Sequence, residues 1–220
     1  MTAVYVIRHP QTTWNVVSRY QGRLEPPLSR EGEAQARLLA RAFAGQDVAA
    51  VITSPLCRAL TVGRDISVAT DSPLIVDQRF TEIGLGEWEG LTIDELRARY
   101  PDLLRCWHET PDTAQIPGGE ALSDVAMRAT DALGDIFRGY PAGNVVVVTH
   151  SVVVRVLAAR AVGLDLNAVH RLPASNAGIT TLCGSKLPGR LVWLNNVSAV
   201  YQSPIAAAEA VGCGEERGAA

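Results

Sequence analysis

The sequence holds no apolar run long enough to cross a bilayer: stretches such as Val145 to Val148 and Val152 to Val154 fall far short of the roughly 18 residues a transmembrane helix needs. It has no excess of positive charge, since 20 Lys and Arg face 23 Asp and Glu for a net charge of -3, so the global basic footprint of nucleic-acid binders and anionic-membrane binders is missing. Its opening, Met1-Thr2-Ala3-Val4-Tyr5-Val6-Ile7-Arg8-His9-Pro10, lacks the basic and long apolar regions of a secretory signal and reads as a first strand. The four cysteines, Cys57, Cys106, Cys183 and Cys213, form no C-x-x-C pair, which argues against zinc and against a disulfide framework. Free thiols in a cytoplasmic protein are the expectation, with no nucleic-acid or membrane partner.

What is present suits one α/β domain. A chain of 220 residues with 47% hydrophobic and 20% charged residues can build a full core and is too apolar to stay disordered. Val4 to Ile7, Val48 to Thr53, Leu74 to Val76, Val145 to Val148, Gly178 to Leu182 and Leu191 to Leu194 read as short strands. Helices are expected from about Arg30 to Ala44 behind the cap Ser29, from Ser54-Pro55 through Arg58, from Thr92 toward Tyr100 where Pro101 interrupts, from Leu122 to Phe137, and after His150 to about Val162. Strands alternating with helices predict a three-layer α/β sandwich, a central mostly parallel sheet flanked by helices, with its site at the strand carboxyl ends. The domain is read as residues 1–202, with 77–122 a loop and helix insertion near the site and 203–220 a frayed tail.

Chemistry gathers where those strands end. Arg8-His9 and Thr149-His150-Ser151 follow two buried strands, Arg58 sits in the first turn of a helix, and Glu82 lies in a glycine-containing loop. Guanidinium forks and a helix N-terminus at one sheet edge match a phosphate in geometry and charge. A histidine among them can serve as a nucleophile. His108 and His170 match no such piece and are expected to lie outside the site.

Arg8-His9-Pro10-Gln11-Thr12 with Trp14-Asn15, Tyr20-Gln21-Gly22, Pro27-Leu28-Ser29, Ser54-Pro55-Leu56-Cys57-Arg58-Ala59, Glu82 with Gly86-Glu87-Trp88-Glu89-Gly90, Pro117-Gly118-Gly119-Glu120 and Val148-Thr149-His150-Ser151 together resemble the histidine phosphatase superfamily, also called phosphoglycerate mutase-like. The resemblance covers roughly residues 4 to 200. It implies His9 as nucleophile, Arg8, Asn15, Arg58 and His150 around the phosphate, and Glu82 as the acid that protonates the leaving alkoxide and then activates water. Substrate contacts are expected from Asn15, Gln21, Gly22, Leu85 and Ser151. The implied activity is hydrolysis of a small phosphorylated metabolite without metal or cofactor, with a homodimer possible through pairing of the valine-rich segments.

Two departures bear on specificity. The family's common first motif has Gly and Glu where this chain has Pro10 and Gln11, which removes one backbone N–H and one negative charge near the phosphate. The pattern is most similar to the metal-independent phosphoserine phosphatases, yet these place a histidine where this chain has Leu85, which weakens phosphoserine as the substrate. A mutase needs a second anion site, for which the loop cations are few, chiefly Arg19 and Arg23. Hydrolysis is therefore favoured over a phosphoglycerate mutase and over a non-catalytic phospho-ligand binder. There is no C-x5-R, no Asp-x-Asp-x-Thr and no G-x-x-x-x-G-K-[ST], so the cysteine, aspartyl and P-loop routes lack their parts.

Overall fold

The structure, a computed structural model, describes residues 1–201, and the tail read as frayed lies outside the described residues. Strands β1 (Thr2–Arg8), β2 (Ala50–Thr53), β3 (Leu74–Val76), β4 (Gly143–Thr149), β5 (Ile179–Gly184) and β6 (Arg190–Asn196) form one sheet in the order β3-β2-β4-β1-β5-β6. The first four are mutually parallel, β5 runs antiparallel to β1, and β6 runs antiparallel to β5. The expected three-layer, mostly parallel architecture is what forms.

Alternation along the central strands explains the layers. Val145 and Val147 point into one apolar cluster and Val146 and Val148 into the other, as do Val6 and Ile7 of β1, because successive side chains of a strand face opposite ways. Helices α2 (Arg30–Phe43) and α3 (Cys57–Thr70) cover one face through Leu39 and Ile66, and α6 (Leu122–Gly139) and α7 (Ser151–Ala161) cover the other through Leu133 and Leu157. Trp88 is fully buried in that second cluster. Ser29 caps α2 by accepting from Gly32 N at 3.0 Å.

Several boundaries differ from the sequence reading, each for a local reason. Thr12 and Asn15 form a reciprocal capping box that starts a short helix α1 (Thr13–Val16), a turn too brief to show an apolar period. Pro101 ends α4 (Ile93–Arg99) as expected but also opens α5 (Pro101–Glu109), since proline is well suited to the first helical position. Ser54 does not cap α3, whose first residue is Cys57 and whose N-cap position is held by Leu56. The short helix α8 (Ser198–Tyr201) closes the described chain. Between β3 and α6 the chain forms no sheet strand, only α4, α5 and short 3-10 turns.

Two further expectations are corrected. The valine-rich segment Val145 to Val148 is central, flanked by β2 and β1, so it cannot pair edges; the sheet edges are β3 and β6. Cys57 and Cys106 are free thiols, but Cys183 is disulfide-bonded. Among the described residues no helix is long and apolar enough to cross a membrane.

Candidate active site

Because β2, β4 and β1 are parallel neighbours, their carboxyl ends fall side by side, with Arg8 paired to Thr149 and Thr53 to Val148. The residues just beyond are His9, Ser54 and His150. The ladder continues into them: His9 N donates to Thr149 O at 2.8 Å, and Ser54 N donates to Val148 O at 3.0 Å. The two imidazoles sit with ring centroids 5.2 Å apart.

His9 is held in one tautomer. Its Nδ1 lies 2.7 Å from the Pro10 carbonyl, which can only accept, so Nδ1 carries the proton and Nε2 keeps its lone pair. Burial, then the charges of Arg58 and Arg8, hold the imidazole pKa well below its ordinary value. A neutral imidazole with an exposed lone pair is a competent nucleophile at phosphorus.

His150 is oriented from the other side. Its Nε2 is 2.7 Å from Ser54 Oγ, which accepts from Leu56 N at 3.3 Å. Ser54 is fully buried, and His150 Nε2 is the acceptor within reach of its hydroxyl proton. The His150 proton therefore sits on Nδ1, a buried atom with no hydrogen-bond partner. Burial, then Arg58, His9 and Arg8, lower this imidazole's pKa as well. A neutral imidazole with an uncommitted Nδ1–H thus sits beside the nucleophile, and a hydroxyl for His150 rather than a helix cap is what the Ser-Pro pair supplies.

The two arginines are buried without a bidentate acid. Arg8 donates to Ala174 O at 2.5 Å, and Arg58 donates to Leu24 O and Gly22 O at 2.7 Å each. Their Nε atoms are buried and unpartnered, and burial lowers both pKa values, that of Arg8 to about 10. Gly22 adopts φ +48°, and a Cβ there would lie 2.1 Å from Glu89 Oε1, so only glycine can turn its carbonyl onto Arg58. Asn15 Oδ1 accepts from Thr12 and from Asn176 Nδ2 at 3.1 Å, which leaves its Nδ2 as the donor it can offer. Asn176 Nδ2 also donates to His9 O at 3.1 Å, a tie that sequence reasoning missed.

Glu82 faces these cations from the loop after β3. Burial raises its pKa, opposed by the Ile83 N–H and by Arg58 and Arg8. Its Oε1 accepts from Ile83 N at 3.0 Å. The backbone that carries it is clamped: Arg128 donates to the carbonyls of Arg79 and Thr81 at 2.7 and 2.6 Å and pairs with Glu120 at 2.8 Å. Glu120 in turn accepts from Gly84 N and pairs with Arg23 at 3.0 Å. Gly86, at φ +50°, touches Pro117 O so closely that a Cβ would lie 2.1 Å away. The two glycine-bearing pieces of sequence meet here to hold one carboxyl.

A cavity of about 510 Å³ opens over this group, within the size range of small-molecule sites. Its wall includes Arg8, His9, Arg58 and Glu82 together with the expected contacts Asn15, Gln21, Gly22, Leu85 and Ser151. His150 is fully buried beside His9 and is not on the wall. Neither Pro10 nor Gln11 lines it; Gln11 Oε1 accepts from Ser29 Oγ at 2.7 Å, so this side chain is turned toward the start of α2. His108 and His170, expected outside, are on the wall with Trp107 and Arg155. Arg155 follows Ser151 by four residues and so shares its helix face, a period that could have flagged it. The histidines come from α5 and from the 3-10 segment Leu166–Arg171, and no local pattern joins them. Among the described residues no three metal-ligating side chains converge.

Fold and site together define an α/β protein with a phosphate-sized cluster of arginines and imidazoles at its sheet edge. The chain belongs to the histidine phosphatase superfamily (branch 1), whose family model matches residues 4–197. It is 32% identical over 182 residues to phosphoserine phosphatase 1 of Hydrogenobacter thermophilus, covering 83% of this chain and 86% of that one. It is 30% identical over 188 residues to a protein named probable phosphoglycerate mutase GpmB of Serratia proteamaculans, covering 86% and 87%. Among solved structures, YhfR of Bacillus stearothermophilus superposes with a TM-score of 0.83 at 30% identity over 91% of this chain and all of that one. A mycobacterial glucosyl-3-phosphoglycerate phosphatase gives 0.80 at 30% identity over 88% and 99%.

Proposed function

We propose that this protein hydrolyses a small phosphorylated metabolite through a phosphohistidine on His9, with no metal required. The observation that carries the reading is the His9 Nδ1 contact to Pro10 O, which leaves Nε2 free beside two buried arginines and a buried carboxyl. Nε2 attacks phosphorus and the ester P–O bond breaks; the leaving alkoxide takes its proton from Glu82. Water then attacks phosphorus, gives a proton to the Glu82 carboxylate, and the P–N bond breaks to release phosphate. Arg8, Arg58, Asn15 and His150 stabilise the charge on the transferred oxygens. Relatives named phosphoserine phosphatase and glucosyl-3-phosphoglycerate phosphatase support phosphate-ester hydrolysis.

The test is phosphate release in EDTA from a panel of small phosphate esters, beside His9→Ala and an alkaline quench that traps enzyme-bound phosphate. Turnover with alkali-stable, acid-labile label that disappears in His9→Ala is expected. Turnover that survives His9→Ala would remove the mechanism. The GpmB likeness supports a mutase as the second reading; conversion of 3-phosphoglycerate to its 2-isomer, rather than to free phosphate, would establish it.

The proposal also includes a homodimer through the exposed edge residues Ile75 and Val76 of β3 or Trp193 of β6, which light scattering tests. It keeps the cytoplasm as the compartment on the free Cys57 and Cys106, against the disulfide at Cys183.

A further inference from the structure

One cation in the cavity has no use in the phosphate chemistry. Arg155 lies on the face of α7 that Ser151 and Val152 also present to the cavity. Its Nε donates to Leu172 O at 2.9 Å, and none of the ion pairs among the described residues includes it. Outside the phosphate end, the partly buried Arg128 and Arg79 are matched, by Glu120 at 2.8 Å and by Asp77 at 2.7 Å. Taking a guanidinium out of water without an acid is costly, and burial lowers the Arg155 pKa. The residue acts electrostatically on Glu82 and Tyr20 and on both His108 and His170. That sets it within electrostatic reach of both the acid and the histidine wall, with which it shares the cavity.

The surroundings of Arg155 say what would match it. His170 packs edge-on against Trp107 at 4.8 Å and lies 5.8 Å from His108. Burial and Arg155 hold its pKa down to about 4, and burial with the charges of Arg97 and Arg155 lowers that of His108, so both imidazoles are neutral near pH 7. His170 Nε2 is buried without a partner. Arg19, the other arginine on this side of the cavity, is taken up by the Gly90 carbonyl and by Glu95 at 3.9 Å. One unpaired guanidinium between neutral imidazoles carries a single positive charge in a fork. A carboxylate fits that charge and geometry, whereas a phosphate dianion asks for a second cation.

We propose that Arg155 is a specificity residue that binds a carboxylate of the substrate, which makes the substrate class small phosphate monoesters that also carry a carboxylate, with His170 offering a polar contact to a neighbouring amino or hydroxyl group. This rests on the reading of the Arg8, His9 and Arg58 end as the phosphate site.

Matched substrates that differ at the carboxylate test it. O-phosphoserine against O-phosphoethanolamine, and 3-phosphoglycerate against glycerol 3-phosphate, are compared by kcat/KM in EDTA. The wild type is expected to favour the carboxylate member of each pair by about tenfold or more. In Arg155→Gln the ratio should fall to within about threefold, and Arg155→Lys should restore part of it, since a point charge replaces the fork. The same ratio is read as Kd on His9→Ala, which reports the carboxylate contact whether or not His9 is the nucleophile and does so in the native Arg155 background if Arg155→Gln fails to fold. Equal members of a pair in the wild type, or a ratio unchanged in Arg155→Gln, overturns the proposal. A carboxylate-free sugar bisphosphate that outstrips its monophosphate by more than the carboxylate pairs differ also overturns it, in favour of a second phosphate. Turnover retained in His9→Ala with the Kd ratio intact overturns only the nucleophile.

Discussion

The two ends of the cavity were built in different ways. The phosphate end is built on strand termini: Arg8 ends β1 and His9 follows it, Ser54 follows β2 and His150 follows β4, so sheet hydrogen bonding fixes the separation of their backbones. The other end is made by α5, α7 and the Leu166–Arg171 segment, and its members meet only because those elements pack on one another. The first end orients its arginines and imidazoles by short contacts to backbone carbonyls and to Ser54. In the second, Arg155 Nε donates to the Leu172 carbonyl with no acid beside it, and His170 Nε2 has no partner. A scaffold of this kind can keep one chemistry at its strand ends while the packed side changes with the substrate.

The sharpest way to break this contrast is at the strand ends. His9→Ala should lower turnover by on the order of 10⁴-fold or more on every ester, because a covalent route is lost outright. Initial-rate phosphate release checks this, and a loss confined to some substrates would mean that the two ends are not separate. Glu82→Gln should follow, with about 10² to 10⁴-fold loss on alkyl phosphates and a much smaller loss on p-nitrophenyl phosphate, whose leaving group needs little protonation. Equal losses on both would remove Glu82 from the acid role.

How much of each end could be read from the chain follows from the same difference. Arg8-His9 and Thr149-His150 are contiguous with apolar runs that had to be buried strands, so their place at the sheet edge was legible. Glu82 was legible through its company of glycines, whose close packing at Gly86 and Pro117 explains why those pieces travel together. Ser54 was misread as a cap because Ser-Pro before a helix usually is one, and only its neighbour across the sheet shows its hydroxyl to be used by His150. His108 and His170 are 62 positions apart and sit in no repeating pattern, so their meeting beside Trp107 needs tertiary packing. Leu85 lines the cavity, as do His108 of α5 and His170 of the Leu166–Arg171 segment.

Titration separates the ends further. His9 is held neutral well into the acid range, and Glu82 is held protonated above its ordinary range. The attack needs the first neutral and the leaving group needs the second protonated. Activity on alkyl phosphates should therefore fall as pH rises through the Glu82 pKa and fall again, at much lower pH, through that of His9, giving an acid-leaning optimum in kcat/KM. With p-nitrophenyl phosphate in Glu82→Gln the alkaline limb due to Glu82 should vanish, while the substrate's own second ionisation near pH 6 stays in both enzymes. A limb unchanged by the substitution would assign it to the substrate.

The smallest effect expected is the most specific to the strand-end design. Ser54→Ala removes the hydroxyl proton that His150 Nε2 accepts and leaves His150 in place, since its backbone is fixed by β4 and α7. The imidazole is then free to carry its proton on Nε2, and the Nδ1–H donor is lost for part of the time. The loss in kcat should be about tenfold, less than the roughly 10² to 10³ of deleting a donor to the transition state outright, with KM little changed and the melting temperature lowered only slightly. Ser54→Thr keeps the hydroxyl and should recover more of the activity than Ser54→Ala even though its extra methyl costs stability in a fully buried site, an order that a purely packing role for Ser54 would not predict. If Ser54→Ala and His150→Ala were equally damaging, the serine would be holding the whole imidazole and not merely its tautomer, and the strand ends would owe their order to side-chain packing as much as the other wall does.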